Sequence, residues 1–203
     1  MELLFSFIYI ALPPGVPSME WQILFTLLLG LWVALEIFIG KLGLSAESII
    51  SDRGSALAVI ITGVGAIALA TSVRLRWGNP IGGEWVQWLG LLVMALGLLL
   101  RYGSIRWLGP MFTRFVQVLP DHKLVTNGPY SLVRHPAYTG LLVFFIGMGI
   151  ALGDWLSLLF LTLIPPIGII YRIKVEEQAL LEAFGEEYRA YMGRTYAIFP
   201  LLL

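Results

Sequence analysis

Arg134 and His135 stand side by side immediately before Pro136 and a long apolar run, and two adjacent glutamates, Glu176 and Glu177, follow a later run of the same kind. A guanidinium or carboxylate at the border of an apolar phase is costly to desolvate unless a counter-charge or hydrogen-bond partner meets it. The planar five-donor fork of Arg134 suits a carboxylate or phosphate, and paired carboxylates suit a cationic or hydroxyl-rich ligand. Each feature also has a structural alternative. Basic residues flanking a membrane helix set topology, and Arg172 lies four residues before Glu176, the spacing of an ion pair along a helix. The sequence has no cysteine, and His122 and His135 are its only histidines. Thiolate chemistry and disulfides are therefore excluded, and a metal site is not expected.

The elements that must position these groups are apolar helices. Of 203 residues, 58% are hydrophobic and 13% charged, with zero formal net charge; mean hydropathy is +0.85. That composition describes an all-α polytopic membrane protein and offers no electrostatic case for nucleic acid. Runs near the length of a bilayer crossing fall at about 21–40, 55–73, 85–100, 137–153 and 155–171. The last two form a hairpin turned at Gly153-Asp154. A shorter apolar piece at 3–12, ended by Pro13-Pro14-Gly15, is expected to form an interfacial or re-entrant helix, with an uncleaved short span as the alternative, and it lacks the basic start of a signal peptide. Gly63, Gly65, Gly90 and Gly97 lie inside spans as candidates for close helix packing. Glu36, also inside a span, needs a partner or water.

Under five spans, Lys41, Arg53, Arg101, Arg106, Arg114, Lys123, Arg134, Arg172, Lys174, Arg189 and Arg194 share one side, against Arg74 and Arg76 on the other. The asymmetry predicts that the 101–136 connection and the C-terminal tail meet on the cytosolic face. Within the connection, Asn127-Gly128-Pro129 reads as a turn. Pro136 suits the first turn of the next helix, leaving Ala137, Tyr138 and Thr139 with free backbone donors that favour an anion. The tail, 172–203, repeats Leu180, Leu181, Phe184, Tyr188 and Tyr191 at helical spacing, which predicts a cytosolic amphipathic helix broken near Gly185.

Taken together, His122-Lys123-Leu124-Val125, Gly128-Pro129-Tyr130, Arg134-His135-Pro136-Ala137-Tyr138-Thr139-Gly140, Glu176-Glu177 and Phe184-Gly185-Glu186-Glu187-Tyr188 resemble the isoprenylcysteine carboxyl methyltransferase family of integral membrane methyltransferases. The resemblance covers roughly residues 105–200 in order and spacing. It divides the chain into N-terminal membrane helices, 1–104, and a methyltransferase core, 105–203. It implies methyl transfer from S-adenosylmethionine, in a site walled by His122, Leu124, Val125, Gly128, Tyr130, His135, Tyr138 and Glu176. It assigns catalysis to Arg134 with Glu176 or Glu177; Tyr188 is a weaker candidate, since an aromatic at that spacing is commonly packed. The absence of a Gly-rich strand-to-helix fingerprint agrees with a non-Rossmann cofactor site.

A sulfonium methyl donor is already activated, so transfer mainly requires in-line approach and exclusion of water. A carboxylate acceptor calls for an orienting arginine, a role that fits Arg134. An amine acceptor, as in the related phospholipid N-methyltransferases, calls for a base, and Glu176 or Glu177 is placed for it; thiol S-methylation is a further alternative. The favoured acceptor is lipophilic, such as a prenylated cysteine entering sideways from the membrane lipids. The amphipathic stretch 111–118 is a candidate gate. A nicotinamide-dependent relative of the sterol reductases is disfavoured by the short membrane part. A transporter or non-catalytic membrane protein is disfavoured because Glu36 is the only charge deep within a predicted span.

Overall fold

Helix-forming apolar runs become seven helices in the computed structural model, which describes residues 19–39, 52–77, 80–112 and 124–199. The helix expected at 3–12, most of the 111–118 stretch, and His122 lie outside those residues. The helices are α1 (Met19–Ile39), α2 (Ser55–Trp77), α3 (Glu84–Leu108), α4 (Pro136–Leu152), α5 (Trp155–Leu163), α6 (Pro165–Phe184) and α7 (Glu186–Met192). Among the described residues, four segments are long and apolar enough to cross a membrane: Met19–Ile39, Ser55–Arg74, Glu84–Met111 and Trp155–Phe184; α4 is a shorter apolar helix of 17 residues. At 1.5 Å per residue α4 is about 25 Å long, against a hydrocarbon core of about 30 Å. Its two ends, His135 and Gly153, therefore cannot both reach the headgroups without local adjustment.

The last span departs from expectation. It was expected to end near 171, with a separate tail helix beyond. Instead the break comes earlier, where Pro165 and Pro166 withhold backbone donors and crowd the preceding turn, ending α5 at Leu163. From Pro165 a single helix then continues through Glu176 and Glu177 to Phe184. The two glutamates thus ride on a rigid extension of a membrane helix. The break at Gly185 is as expected, with φ of +54°, and α7 follows it.

Backbone proximity joins α3 to α4. A Cβ at Gly97 would lie 2.4 Å from the Phe144 nitrogen, and one at Gly140 would lie 2.4 Å from the Arg101 nitrogen; Gly90 and Gly147 make the same seam one heptad away. In lipid, such close packing replaces the hydrophobic effect as the source of helix association. Gly63 abuts the Phe145 ring, whereas Gly65 faces open space and is not a packing glycine. Beside the seam, Trp21, Phe25, Met94, Phe144, Phe145, Met148, Leu161 and Ile169 fill the core.

At one end of the bundle, left-handed Gly153 closes α4 and the Asp154 carboxylate accepts from the Ser157 nitrogen at 2.8 Å, capping α5 as the hairpin predicts. The Ile81 nitrogen bonds the Gly153 carbonyl, and Ser157 Oγ bonds the Ala70 carbonyl, so the Arg74 end of α2 lies against this turn. The opposite end gathers the end of α3, the start of α4 and the end of α6. Glu36 meets its expected partner there: Arg101 donates from Nε at 2.7 Å and from Nη2 at 3.1 Å, with Nη1 on the Ala137 carbonyl.

Candidate functional site

The connection into α4 is shaped by a 3₁₀ turn at Gly128–Ser131. Gly128 has φ of +60°, and a Cβ on it would lie 2.3 Å from the Trp107 ring, whose Nε1 donates to Asn127 Oδ1 at 3.1 Å. Glycine is required at this position for packing. Half-buried Leu124 and Val125 lead into the turn. Tyr130 is buried and braces two elements: its hydroxyl donates to the Ser104 carbonyl at 3.2 Å, and its own carbonyl accepts from the Tyr191 hydroxyl at 2.6 Å.

Sequence reasoning missed the segment after α7. The nitrogens of Arg134 and His135 donate to the carbonyls of Tyr196 and Ala197 at 2.8 and 3.0 Å, the Tyr196 nitrogen donates to Leu132, and Thr139 Oγ1 donates to the Ile198 carbonyl. These bonds seat the C-terminal stretch against the Arg-His-Pro element. Periodicity could not reveal it, because its partners are backbone groups far away in sequence. The expected free donors at the start of α4 are also partly taken. His135 caps the helix, and its carbonyl accepts from the nitrogens of Tyr138 and Thr139 at 3.0 Å.

With loop, helix and tail fixed, the charged groups converge. Arg134 donates from Nε to Glu177 Oε1 at 2.7 Å and from Nη1 to the carbonyls of Met192, at 3.3 Å, and Thr195. His135 Nε2 lies 3.3 Å from the same Glu177 oxygen, and its Nδ1 lies 3.9 Å from Glu176. The Tyr138 hydroxyl donates to Glu176 Oε2 at 2.8 Å and accepts from Arg172 Nε at 3.1 Å. Arg172 does not make its ion pair with Glu176, as helical spacing suggested, but with Asp52, while its Nη1 also reaches Ser55 Oγ at 2.9 Å. Asp52 and Ser55 were not anticipated. The available signal was the need of a nearly buried Arg172 for an acid, which local spacing assigned to the wrong carboxylate.

Tyr188, expected to be packed, is buried with its ring edge-on to Tyr191. Its hydroxyl has no hydrogen-bond partner among the described residues. Burial raises its pKa, and the charges of Glu177 and Glu176 raise it further. Burial likewise raises Tyr130 and pushes Tyr191 up to about 12, against the pull of Arg134 and Arg194. The tyrosines around the cluster therefore remain neutral donors at physiological pH. Chemically, the arrangement offers two carboxylates to a cation, a guanidinium to an anion and an orphaned hydroxyl to either.

Of the anticipated site residues, the structure brings Arg134, His135, Tyr138, Glu176 and Glu177 into one cluster. Tyr130 adjoins it through Tyr191, and Gly128, Leu124 and Val125 supply its supporting loop. Comparisons with known proteins bear on the family rather than on single residues. A family model described as phospholipid methyltransferase matches residues 85–187. The chain is 27% identical over 168 residues to protein-S-isoprenylcysteine O-methyltransferase B of Arabidopsis thaliana, covering 80% of this chain and 82% of that one. It is 33% identical over 111 residues to the Schizosaccharomyces pombe protein-S-isoprenylcysteine O-methyltransferase, covering 54% and 47%. Among solved structures, it is similar to a eukaryotic intramembrane Ras methyltransferase, isoprenylcysteine carboxyl methyltransferase, with a TM-score of 0.56 and 29% identity over 73% of this chain and 51% of that one. The chain thus spans about half the length of the yeast relative and of the solved structure.

Proposed function

We propose, from the premise that this chain belongs to the isoprenylcysteine carboxyl methyltransferase family, that it transfers the methyl group of S-adenosylmethionine to the carboxylate of a lipophilic acceptor such as a prenylated cysteine. The observation that carries this reading is the convergence of Arg134, His135, Tyr138, Glu176 and Glu177, drawn from loop, helix and tail, at one end of an apolar helical bundle. The chain is an integral membrane protein by its apolar helices and its family. A cytosolic position for the site and the C-terminus is supported by the eleven-to-two distribution of basic residues.

The donor set fits a sulfonium cofactor: Glu176 and Glu177 present anionic oxygens, Tyr138 and His135 present aromatic faces, and the orphaned Tyr188 hydroxyl is a polar atom still to be satisfied. When bound, the cofactor would supply an activated methyl group whose carbon–sulfur bond breaks as a carbon–oxygen bond forms, which needs no proton transfer. The protein's part is positional. Arg134 holds the acceptor carboxylate: its Nε and Nη1 are engaged, and Nη2 is the donor that the described residues leave for an incoming anion. Glu176, tied to Tyr138, keeps its charge toward the sulfonium. His135 and Tyr138, at the start of α4, close the wall and exclude water; Leu124, Val125, Gly128 and Tyr130 complete the pocket. A lipophilic acceptor enters sideways from the membrane.

Transfer to a lipid amine is the second reading, favoured by the description of the matching family model; Glu176 or Glu177 would then take the proton. Detergent-purified protein with labelled S-adenosylmethionine and a prenylcysteine acceptor tests the first reading. Label released as methanol in base marks a methyl ester, base-stable label on a lipid amine marks the second reading, and binding of NADPH without S-adenosylmethionine overturns both.

A further inference from the structure

Asp52 lies well outside the segment that the family model matches, yet it is the ion-pair partner of Arg172, next to the cluster. The turn it begins is specialised. Asp52 caps α2 through Oδ2 on the Ala56 nitrogen at 3.2 Å, and Arg53 adopts a φ of +46°, a left-handed conformation rare outside glycine. That strained residue is fastened to α6 at two points, by its carbonyl to the Tyr171 hydroxyl at 2.9 Å and by Nη1 to Gln178 Oε1 at 2.9 Å. The turn therefore clasps α6 on both sides of Arg172 and holds the Asp52 carboxylate against its guanidinium. Asp52, Ser55 and Arg172 are all buried.

Arg172 stands between two acids. Glu176 is one helical turn further along the same helix, the spacing at which arginine and glutamate normally pair, and Tyr138 already bridges the two residues. Without Asp52, Glu176 would be the carboxylate left to this guanidinium among the described residues. Resting on the methyltransferase reading above, we propose that Asp52 is a positioning residue that holds Arg172 away from Glu176, so that the Glu176 carboxylate keeps its charge for a cationic ligand.

This role predicts a charge-selective effect that general damage to the fold would not produce. S-adenosylmethionine carries a sulfonium and S-adenosylhomocysteine a neutral thioether, so a quenched Glu176 weakens the first and spares the second. In Asp52→Asn, which keeps the helix cap, affinity for S-adenosylmethionine should fall about tenfold while that for S-adenosylhomocysteine changes less than about threefold. Adding Arg172→Met removes the competing cation and should return the ratio of the two affinities to its wild-type value. Removing both members of a buried pair is also better tolerated than removing one, so the double variant stays informative if Asp52→Asn alone fails to fold. Equal weakening of both ligands in Asp52→Asn, or a double variant that has lost the wild-type ratio, overturns the proposal. Wild-type protein that binds neither ligand overturns the methyltransferase reading along with it.

Discussion

Two partly buried guanidinium–carboxylate pairs in this fold share a closest approach of 2.7 Å, and they differ in what they leave open. Arg101 grips both oxygens of Glu36 and uses its remaining arm on the Ala137 carbonyl. That pair is closed, and it ties α1 to α3 and to the start of α4. In the other pair, Arg134 Nε and His135 Nε2 crowd onto a single oxygen of Glu177. A carboxylate held through one oxygen is positioned without being saturated, the condition expected of a group that also meets a ligand. Distance alone would have ranked the pairs as equivalent; counting the oxygens separates them.

The sharpest way to break this contrast is Glu177→Gln, which removes the charge and keeps the shape. Methyl transfer per folded molecule should fall by a factor of about 10²–10⁴, measured with labelled cofactor; retention of more than a tenth of the wild-type rate would make the open pair structural after all. Gly140→Ala should act oppositely. Its Cβ would meet the Arg101 backbone, pushing the closed pair away without touching a charge, so the yield of folded protein should drop, with a stability loss of about 3 kcal/mol, while the surviving molecules keep their rate. Glu36→Gln is milder, because the Glu36 side chain remains about one-third exposed. A loss of about 1–2 kcal/mol with activity within about threefold of wild type is expected, and an inactive, fully stable variant would place Glu36 in the chemistry.

The contrast was partly legible in the sequence. Glu36 announced a need for a partner because a lone acid in an apolar span is costly, and Gly90 and Gly97 were candidates for close packing alongside Gly63 and Gly65, of which Gly65 faces open space. The Arg-His-Pro element and Glu176-Glu177 were legible as chemistry because their charges sit where solvation is poorest. What stayed hidden was set by contacts that periodicity does not encode. Nothing local links Asp52 to Arg172, 120 residues apart. The C-terminal stretch docks through backbone bonds that are indifferent to side-chain type. The continuity of α6 past 171 was obscured by the switch from apolar to charged residues, which changes the solvent around a helix without ending it.

Two neighbouring tyrosines repeat the open and closed distinction at smaller scale. Tyr188→Phe deletes a hydroxyl that bonds nothing among the described residues. Stability should therefore hold or rise slightly, while methyl transfer falls about three- to tenfold if a bound molecule uses that hydroxyl; an unchanged rate assigns Tyr188 to packing alone.

Tyr191 is the closed counterpart, donating to the Tyr130 carbonyl, and Tyr191→Phe should cost about 1 kcal/mol at neutral pH. Its pH dependence has a definite sign. Burial holds the folded pKa at about 12, above the ordinary value of about 10, so between those limits the unfolded chain loses the proton first. Stability is thus unaffected below about pH 10 and declines as pH rises toward 12, by on the order of 2 kcal/mol from this residue. Tyr130 and Tyr188 are raised in the same direction, so Tyr191→Phe should make the alkaline decline shallower without abolishing it. Thermal unfolding midpoints of both proteins from pH 8 to 12 check this, and parallel declines would show that Tyr191 ionises as freely in the folded protein as in the unfolded chain.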